Sequence, residues 1–233
     1  MDVRAARRRV SDAGPPVLVL RPVPEASETA DTLRARGWRT VVSPLLAIEP
    51  VEGDAPGPQG RTLVLSSPRA VPFAPPGLAF VVGERTAVAF RERGGTVLAT
   101  APDGASLVPV IAEAARGPLL HLCGDEIAFD FAAALAPAVA VERLVVYRAR
   151  PVPPTDEARE ALARGDAVAL LTSPRIARLL AREQPRPARV LALSPAVARA
   201  WGGSCEVAVE PTMDALMALL GEPARAGTGE PQP

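Results

Sequence analysis

With 233 residues, 48% of them apolar and 22% charged, the chain suits one large domain or two of about 100 residues, with a real buried core. The 26 basic and 26 acidic residues cancel, so no net field draws the molecule to nucleic acid or to an acidic membrane surface, and one Tyr, two Trp and five Phe leave few platforms for stacked bases. Every basic residue is Arg, which excludes a lysine Schiff base and leaves any anion site to guanidinium groups, hydroxyls and backbone amides.

Residues 1–16 hold Arg4, Arg7, Arg8 and Arg9 but lack the apolar core of a signal peptide, and are expected to be a disordered extension. An apolar strand over 17–20 closes at Arg21-Pro22. A helix over 25–36 buries Ala26, Ala30 and Leu33, and Gly37 ends it. A strand over 38–42 leads to the proline-bracketed extended segment 43–51, and 53–60 reads as loop. The run Leu63-Val64-Leu65 then ends in Ser66-Ser67-Pro68-Arg69, which predicts a buried strand followed by a helix with Ser67 as N-cap and Pro68 at its first position. Next come a strand over 78–82 ending at Gly83, a helix over 85–93, a strand over 96–100 and a helix over 105–116.

The order then repeats. Strand 119–122 closes at Cys123-Gly124-Asp125, a helix is expected over 127–135, and a strand over 141–148 runs to Pro151. Helix 156–164 is capped by Gly165. Ala169-Leu170-Leu171-Thr172-Ser173-Pro174-Arg175 repeats the earlier strand and turn, and Ser194-Pro195 opens a helix over 196–201. A strand at Val207 and a helix over 213–220 precede a tail, 221–233, expected to be disordered. Arg175 follows Arg69, Pro151 follows Pro50, and Ser194 follows Gly83, each by roughly 100 residues, the signature of a duplicated unit. Strand-helix alternation predicts an α/β fold of two similar lobes, each a parallel sheet flanked by helices, with ligands at the carboxyl ends of the strands.

Each Ser-Pro-Arg turn offers a hydroxyl, a guanidinium and helix-terminal amides, the parts of an anion site. His121 stands alone inside an apolar strand and no second His or paired Cys accompanies it, so no metal site is expected. Cys123 reads as a small buried residue, and the two cysteines, Cys123 and Cys205, as free thiols of a reducing cytoplasm. Asp125, Glu126 and Asp130 read as a solvated helix start. No apolar run reaches the roughly 18 residues of a membrane span.

In order, Val19-Leu20-Arg21-Pro22, Ser43-Pro44-Leu45, Ser67-Pro68-Arg69-Ala70-Val71, Val82-Gly83 with Thr86-Ala87, Leu122-Cys123-Gly124, Val145-Val146-Tyr147-Arg148, Thr172-Ser173-Pro174 and Pro211-Thr212 resemble the uroporphyrinogen-III synthase family. The resemblance runs from about Val17 to Leu220. It implies interleaved lobes, 17–42 with 153–220 and 52–143, joined by a two-stranded crossing of 43–51 and 144–152. The activity implied is closure of the linear tetrapyrrole hydroxymethylbilane with loss of water and inversion of its last ring, through a spirocyclic intermediate and with no cofactor. A cytoplasmic monomer is expected, with hydroxymethylbilane synthase as transient donor of the substrate.

Tyr147, the chain's one tyrosine, matches the family's Val-Tyr motif and is the candidate catalytic residue. Ser67, Arg69, Ser173, Arg175, Ser194, Gly83 and Thr86 are candidate substrate-binding residues, with Arg189 a weaker match and Arg21 and Arg148 at the rim. Where many relatives have Gly-Pro-Thr-Thr this chain has Ser194-Pro195-Ala196-Val197, so the family threonine is missing and Ser194 is its partial replacement. The competing reading is a non-catalytic two-lobed module that binds small anions or tetrapyrroles.

Overall fold

The computed structural model describes residues 14–51 and 60–223. Nearly all of the expected extension and tail, and the loop expected over 53–60 apart from its last residue, lie outside these residues. Contacts divide the chain into two compact units, Met1–Ala47 with Pro151–Pro233 (unit 1) and Ile48–Arg150 (unit 2).

Unit 1 is built on five parallel strands: β1 (Val17–Val19), β2 (Thr40–Val42), β9 (Val168–Leu171), β10 (Arg189–Ala192) and β11 (Glu206–Val207), in the order β11-β10-β9-β1-β2. The central strands are apolar at every position because both sheet faces are covered. Val17, Val19, Val168, Leu170 and Leu191 pack with Leu33 of helix α1 (Glu25–Ala35) and Leu216 of α8 (Met213–Ala218). Helices α5 (Asp156–Arg164), α6 (Pro174–Leu180) and α7 (Pro195–Trp201) complete the unit. Each of the last four helices starts on a hydroxyl N-cap, from Thr155, Ser173, Ser194 and Thr212 in turn.

Unit 2 carries most of a six-stranded sheet, ordered β3-β8-β7-β4-β5-β6. Its strands are β3 (Leu46–Pro50), β4 (Thr62–Leu65), β5 (Leu78–Val82), β6 (Thr96–Ala101), β7 (Leu119–Gly124) and β8 (Val141–Pro151). From β8 through β6 all neighbours are parallel. β3 and β8 run through the two boundaries between the units, and they pair antiparallel, with Val51 N–H donating to the Val146 carbonyl and Val152 N–H to that of Leu45. Alternation along the strands sends Leu63, Leu65, Leu120 and Leu122 to one face, with Phe90 of α2 (Glu84–Glu92). Val64, Phe80 and Leu119 face the other way, onto Leu107 and Ile111 of α3 (Gly104–Ala114) and Phe131 of α4 (Phe131–Leu135).

Two expectations need correction. The helix after Ser67 is a 3-10 helix, Pro68–Phe73, because Pro72 has no N–H to close an α-helical turn. The helix expected over 127–135 begins only at Phe131. Asp125 accepts from the Glu126 and Ala149 amides and Asp130 from the Ala133 amide, so side-chain acceptors hold 125–130 as a loop and Asp130 becomes the N-cap. Phe129 anchors this loop by covering Gly104, where a Cβ would stand 2.5 Å from its ring.

Candidate active site

In unit 2 the residues that follow each parallel strand converge on one cavity of about 280 Å³, at the strand ends where open α/β sheets take ligands. Ser66 and Ser67 come from the end of β4, Val82 from β5, Asp103 from the turn after β6, Cys123 and Gly124 from β7, and Tyr147 from β8. The loop 126–129 and Phe131 complete the lining. Ser67 and Tyr147, singled out separately from the sequence, therefore share a wall.

Tyr147 is 9% exposed, and its ring lies against the backbone of Gly124. A Cβ on Gly124 would stand 2.7 Å from a Tyr147 ring carbon and 3.1 Å from its hydroxyl oxygen, so only glycine lets the phenol rest here. Asp125 N–H donates to the Tyr147 carbonyl at 3.1 Å. Arg143 clamps the end of β7, giving hydrogen bonds to the Gly124 and Asp125 carbonyls at 3.0 and 2.5 Å and, through Nε, to Cys123 Sγ at 3.3 Å. Burial raises the Cys123 thiol pKa and Arg143 opposes the shift, so this sulfur stays a protonated, packed group at neutral pH.

Ser67 Oγ accepts from the Arg69 amide at 3.3 Å, as an N-cap does, which uses one lone pair and leaves the hydroxyl proton available. Behind the neighbouring Ser66 stands His121, 2% exposed, with Nε2 2.8 Å from Ser66 Oγ and its ring edge-on to Phe131 at 5.1 Å. Burial, reinforced by the Arg143 guanidinium and opposed by Asp130, lowers the His121 pKa to about 4, so the imidazole is neutral at pH 7. Asp103 accepts from the Ser106 amide at 2.8 Å, and that hydrogen bond holds its carboxyl below the usual range. The two ionisable carboxyls on the cavity wall are Asp103 and Glu126, and no arginine lines it.

Gly83 and Thr86 form the start of α2, beside this cavity but not on its lining. Gly83 has φ 81°, which favours glycine, and Thr86 is buried. In unit 1, Arg21, Ser173 and Ser194 follow the carboxyl ends of adjacent strands β1, β9 and β10. Ser173 Oγ accepts from Ile176 N–H at 3.2 Å and Ser194 Oγ from Val197 N–H at 3.4 Å. Arg175 is half-buried in the first turn of α6, and Arg21 donates to Thr29 Oγ1 at 3.3 Å. Arg148 lies exposed on β8.

Arg189 is not brought to that edge. It opens β10 at the amino end and makes a two-point pair with Glu206, at 2.6 and 2.9 Å, while also donating to the Leu219 carbonyl. Glu206 holds the Arg189 pKa above its usual value. The sequence marks neither Ser66, Asp103 nor Gly124 as a site residue, and it shows His121 only as a lone histidine in an apolar strand. A signal existed for Ser66, half of a hydroxyl pair, whereas the His121 partnership spans 55 residues of sequence and had no local trace.

Among the described residues no group of three His, Cys, Asp or Glu side chains is placed to hold a metal ion, and no helix is long and apolar enough to cross a membrane.

Comparison with known proteins bears on this geometry. The family model "Uroporphyrinogen-III synthase HemD" matches residues 27–218. The crystal structure of uroporphyrinogen-III synthetase from Helicobacter pylori superposes with a TM-score of 0.64 at 17% identity, covering 89% of this chain and 98% of that one. A mutant uroporphyrinogen III synthase from Thermus thermophilus matches at 22% identity with a TM-score of 0.50, covering 90% and 97%. Identities this low speak to the fold. No curated protein matches.

Proposed function

We propose, from the premise that this chain belongs to the uroporphyrinogen-III synthase family, that it is a cyclising hydro-lyase whose chemistry is centred on the unit 2 cavity. The family match over residues 27–218 carries the reading. Hydroxymethylbilane loses its hydroxyl as water when the ring A pyrrole nitrogen expels it to give an azafulvene. The substituted carbon of ring D then attacks the freed methylene, and the spirocyclic intermediate resolves with that ring inverted. The substrate supplies the driving force, so the protein's task is to orient a pliant chain and to assist the departing oxygen.

Tyr147 is the donor to that oxygen. Its hydroxyl makes no hydrogen bond to protein among the described residues, and Gly124 fixes its ring. Ser67, together with Arg69, holds the chain beside the cavity, and Gly83 and Thr86 shape the next turn. In unit 1, Ser173, Arg175, Ser194 and Arg21 bind acetate and propionate side chains with hydroxyls and guanidinium groups. Ser194 supplies the hydroxyl that relatives draw from threonine. The enzyme acts in the cytoplasm as a monomer and receives its substrate from hydroxymethylbilane synthase.

The test is a coupled assay in which hydroxymethylbilane is generated enzymatically and the cyclised products are separated. Type III uroporphyrinogen in excess over type I is expected. Type I alone, formed at the rate of the uncatalysed closure, would refute the proposal.

A further inference from the structure

Ser66 and His121 are not explained by packing alone. An imidazole on an apolar strand face is costly to bury unless its N–H finds a partner, and among the described residues Ser66 is the hydrogen-bond partner of this ring. Neutral imidazole carries one N–H. An orphaned buried N–H is rarer than an under-satisfied acceptor, so the proton belongs on Nε2, the nitrogen 2.8 Å from Ser66 Oγ. Ser66 then accepts from His121, and its own O–H is left to point elsewhere. Ser66 lines the cavity that Tyr147 also lines.

The charge on the cavity wall decides which part of the substrate fits. Asp103 and Glu126 line it, Arg143 stands behind Cys123 and Gly124, and no arginine is on the lining itself, so the wall offers the carboxylates of the tetrapyrrole no direct guanidinium partner. It favours a neutral hydroxymethyl group and the pyrrole N–H beside it, on which positive charge grows as the hydroxyl leaves.

We propose that Ser66 is a second hydroxyl contacting the departing oxygen, alongside Tyr147, and that His121 is the positioning residue that keeps the Ser66 O–H turned towards it. Ser66 gives a hydrogen bond and no proton. The carbon–oxygen bond breaks with its electron pair going to oxygen, the Tyr147 phenol passes its proton to that oxygen so that water leaves, and the pyrrole N–H, made acidic in the azafulvenium, returns a proton to the phenolate. An oxygen with two lone pairs accommodates both donors, and a chain from imidazole N–H through Ser66 to that oxygen strengthens as the oxygen gains negative charge. This inference rests on the proposed cyclisation.

Two measurements test it. His121 is the chain's one histidine, so protein labelled with ¹⁵N-histidine reports its ring alone. A protonated Nε2 with a bare Nδ1 is expected at pH 7, and an Nδ1–H imidazole would overturn the proposed orientation whatever the protein catalyses. The coupled assay is then run on wild type, Ser66→Ala, Ser66→Thr, His121→Phe, His121→Gln and the Ser66→Ala/His121→Phe double variant, below the Tm of each. Ser66→Ala is expected to lower kcat about 10- to 100-fold with KM little changed, and Ser66→Thr to retain most of the rate. His121→Phe should lose a similar factor, His121→Gln less, and the double variant no more than Ser66→Ala alone. A wild type that forms type III product while Ser66→Ala keeps its full kcat would sink this inference and leave the function standing. So would losses that multiply in the double variant. A wild type with no type III product would take both down.

Discussion

Ser67-Pro68-Arg69 in unit 2 and Ser173-Pro174-Arg175 in unit 1 open with the same three residues after an apolar strand, yet one starts a 3-10 helix and the other an α-helix. Four residues beyond the first proline is Pro72; four beyond the second is Arg178, which has the N–H an α-helical turn needs. A second difference comes from the neighbouring strand. In unit 2, Val64 pairs in register with His121, while the matching Leu170 of unit 1 pairs with Val19. An imidazole stands behind Ser66, whereas the equivalent register position in unit 1 is held by Val19. The duplication keeps the extended serine N-cap; the residues that follow it set the helix type, and the adjacent strand sets what stands beside its hydroxyls.

That contrast can be tested from its strongest consequence downward. Tyr147→Phe should reduce kcat by about 100- to 1,000-fold with Tm nearly unchanged, as read by the coupled assay and thermal unfolding. An unaltered rate and isomer ratio would remove unit 2's phenol from the chemistry. The next effect is on stability. The His121 pKa is depressed to about 4 in the folded chain, against about 6.5 when unfolded, so between these values the unfolded state binds the extra proton. Stability from this group is complete above pH 6.5 and is lost as pH falls towards 4, by about 3 kcal/mol at most. Denaturant titrations across that window should show a steeper fall for wild type than for His121→Gln, and parallel curves would contradict the neutral buried imidazole. Arg143 and Asp130, the charged groups that bear on this ring, are common to both proteins.

Smaller effects belong to unit 1. Ser173→Ala removes the N-cap of α6 and should cost about 1 kcal/mol of stability, with KM rising more than kcat falls. A kcat loss as large as that of Tyr147→Phe would mean the two turns share the chemistry equally. Smallest is Arg189→Ala. Its pair with Glu206 is largely exposed, so the loss should be about 1 kcal/mol or less, and turnover should be unaltered because the residue opens β10 at the end away from Ser194.

The central strands β1, β4, β7 and β9 were legible because they are short, near-continuous apolar runs, and α5 was legible in full, since Thr155, the charged face and Gly165 all agree. The short helices were harder. Nothing local to residues 127–130 shows that Asp130 would spend its carboxylate on the Ala133 amide, and Pro72 forbids an α-helical turn without dictating what replaces it. For the site, Ser67 and Tyr147 could be found from motif and rarity. Ser66 with His121 could not, because their contact exists only once β4 and β7 lie side by side.

The order of synthesis follows from one feature of the topology. Unit 2 is a continuous stretch, Ile48–Arg150, whereas β1 sits in its sheet between β2, made just after it, and β9, which begins about 150 residues later. As the chain leaves the ribosome, the inserted unit can therefore collapse while its host is still half a sheet, with β1 and α1 exposing apolar flanks until Val168–Leu171 emerges. A chain arrested after Arg150 would hold a finished middle and an unfinished beginning, and the beginning is where a chaperone would bind.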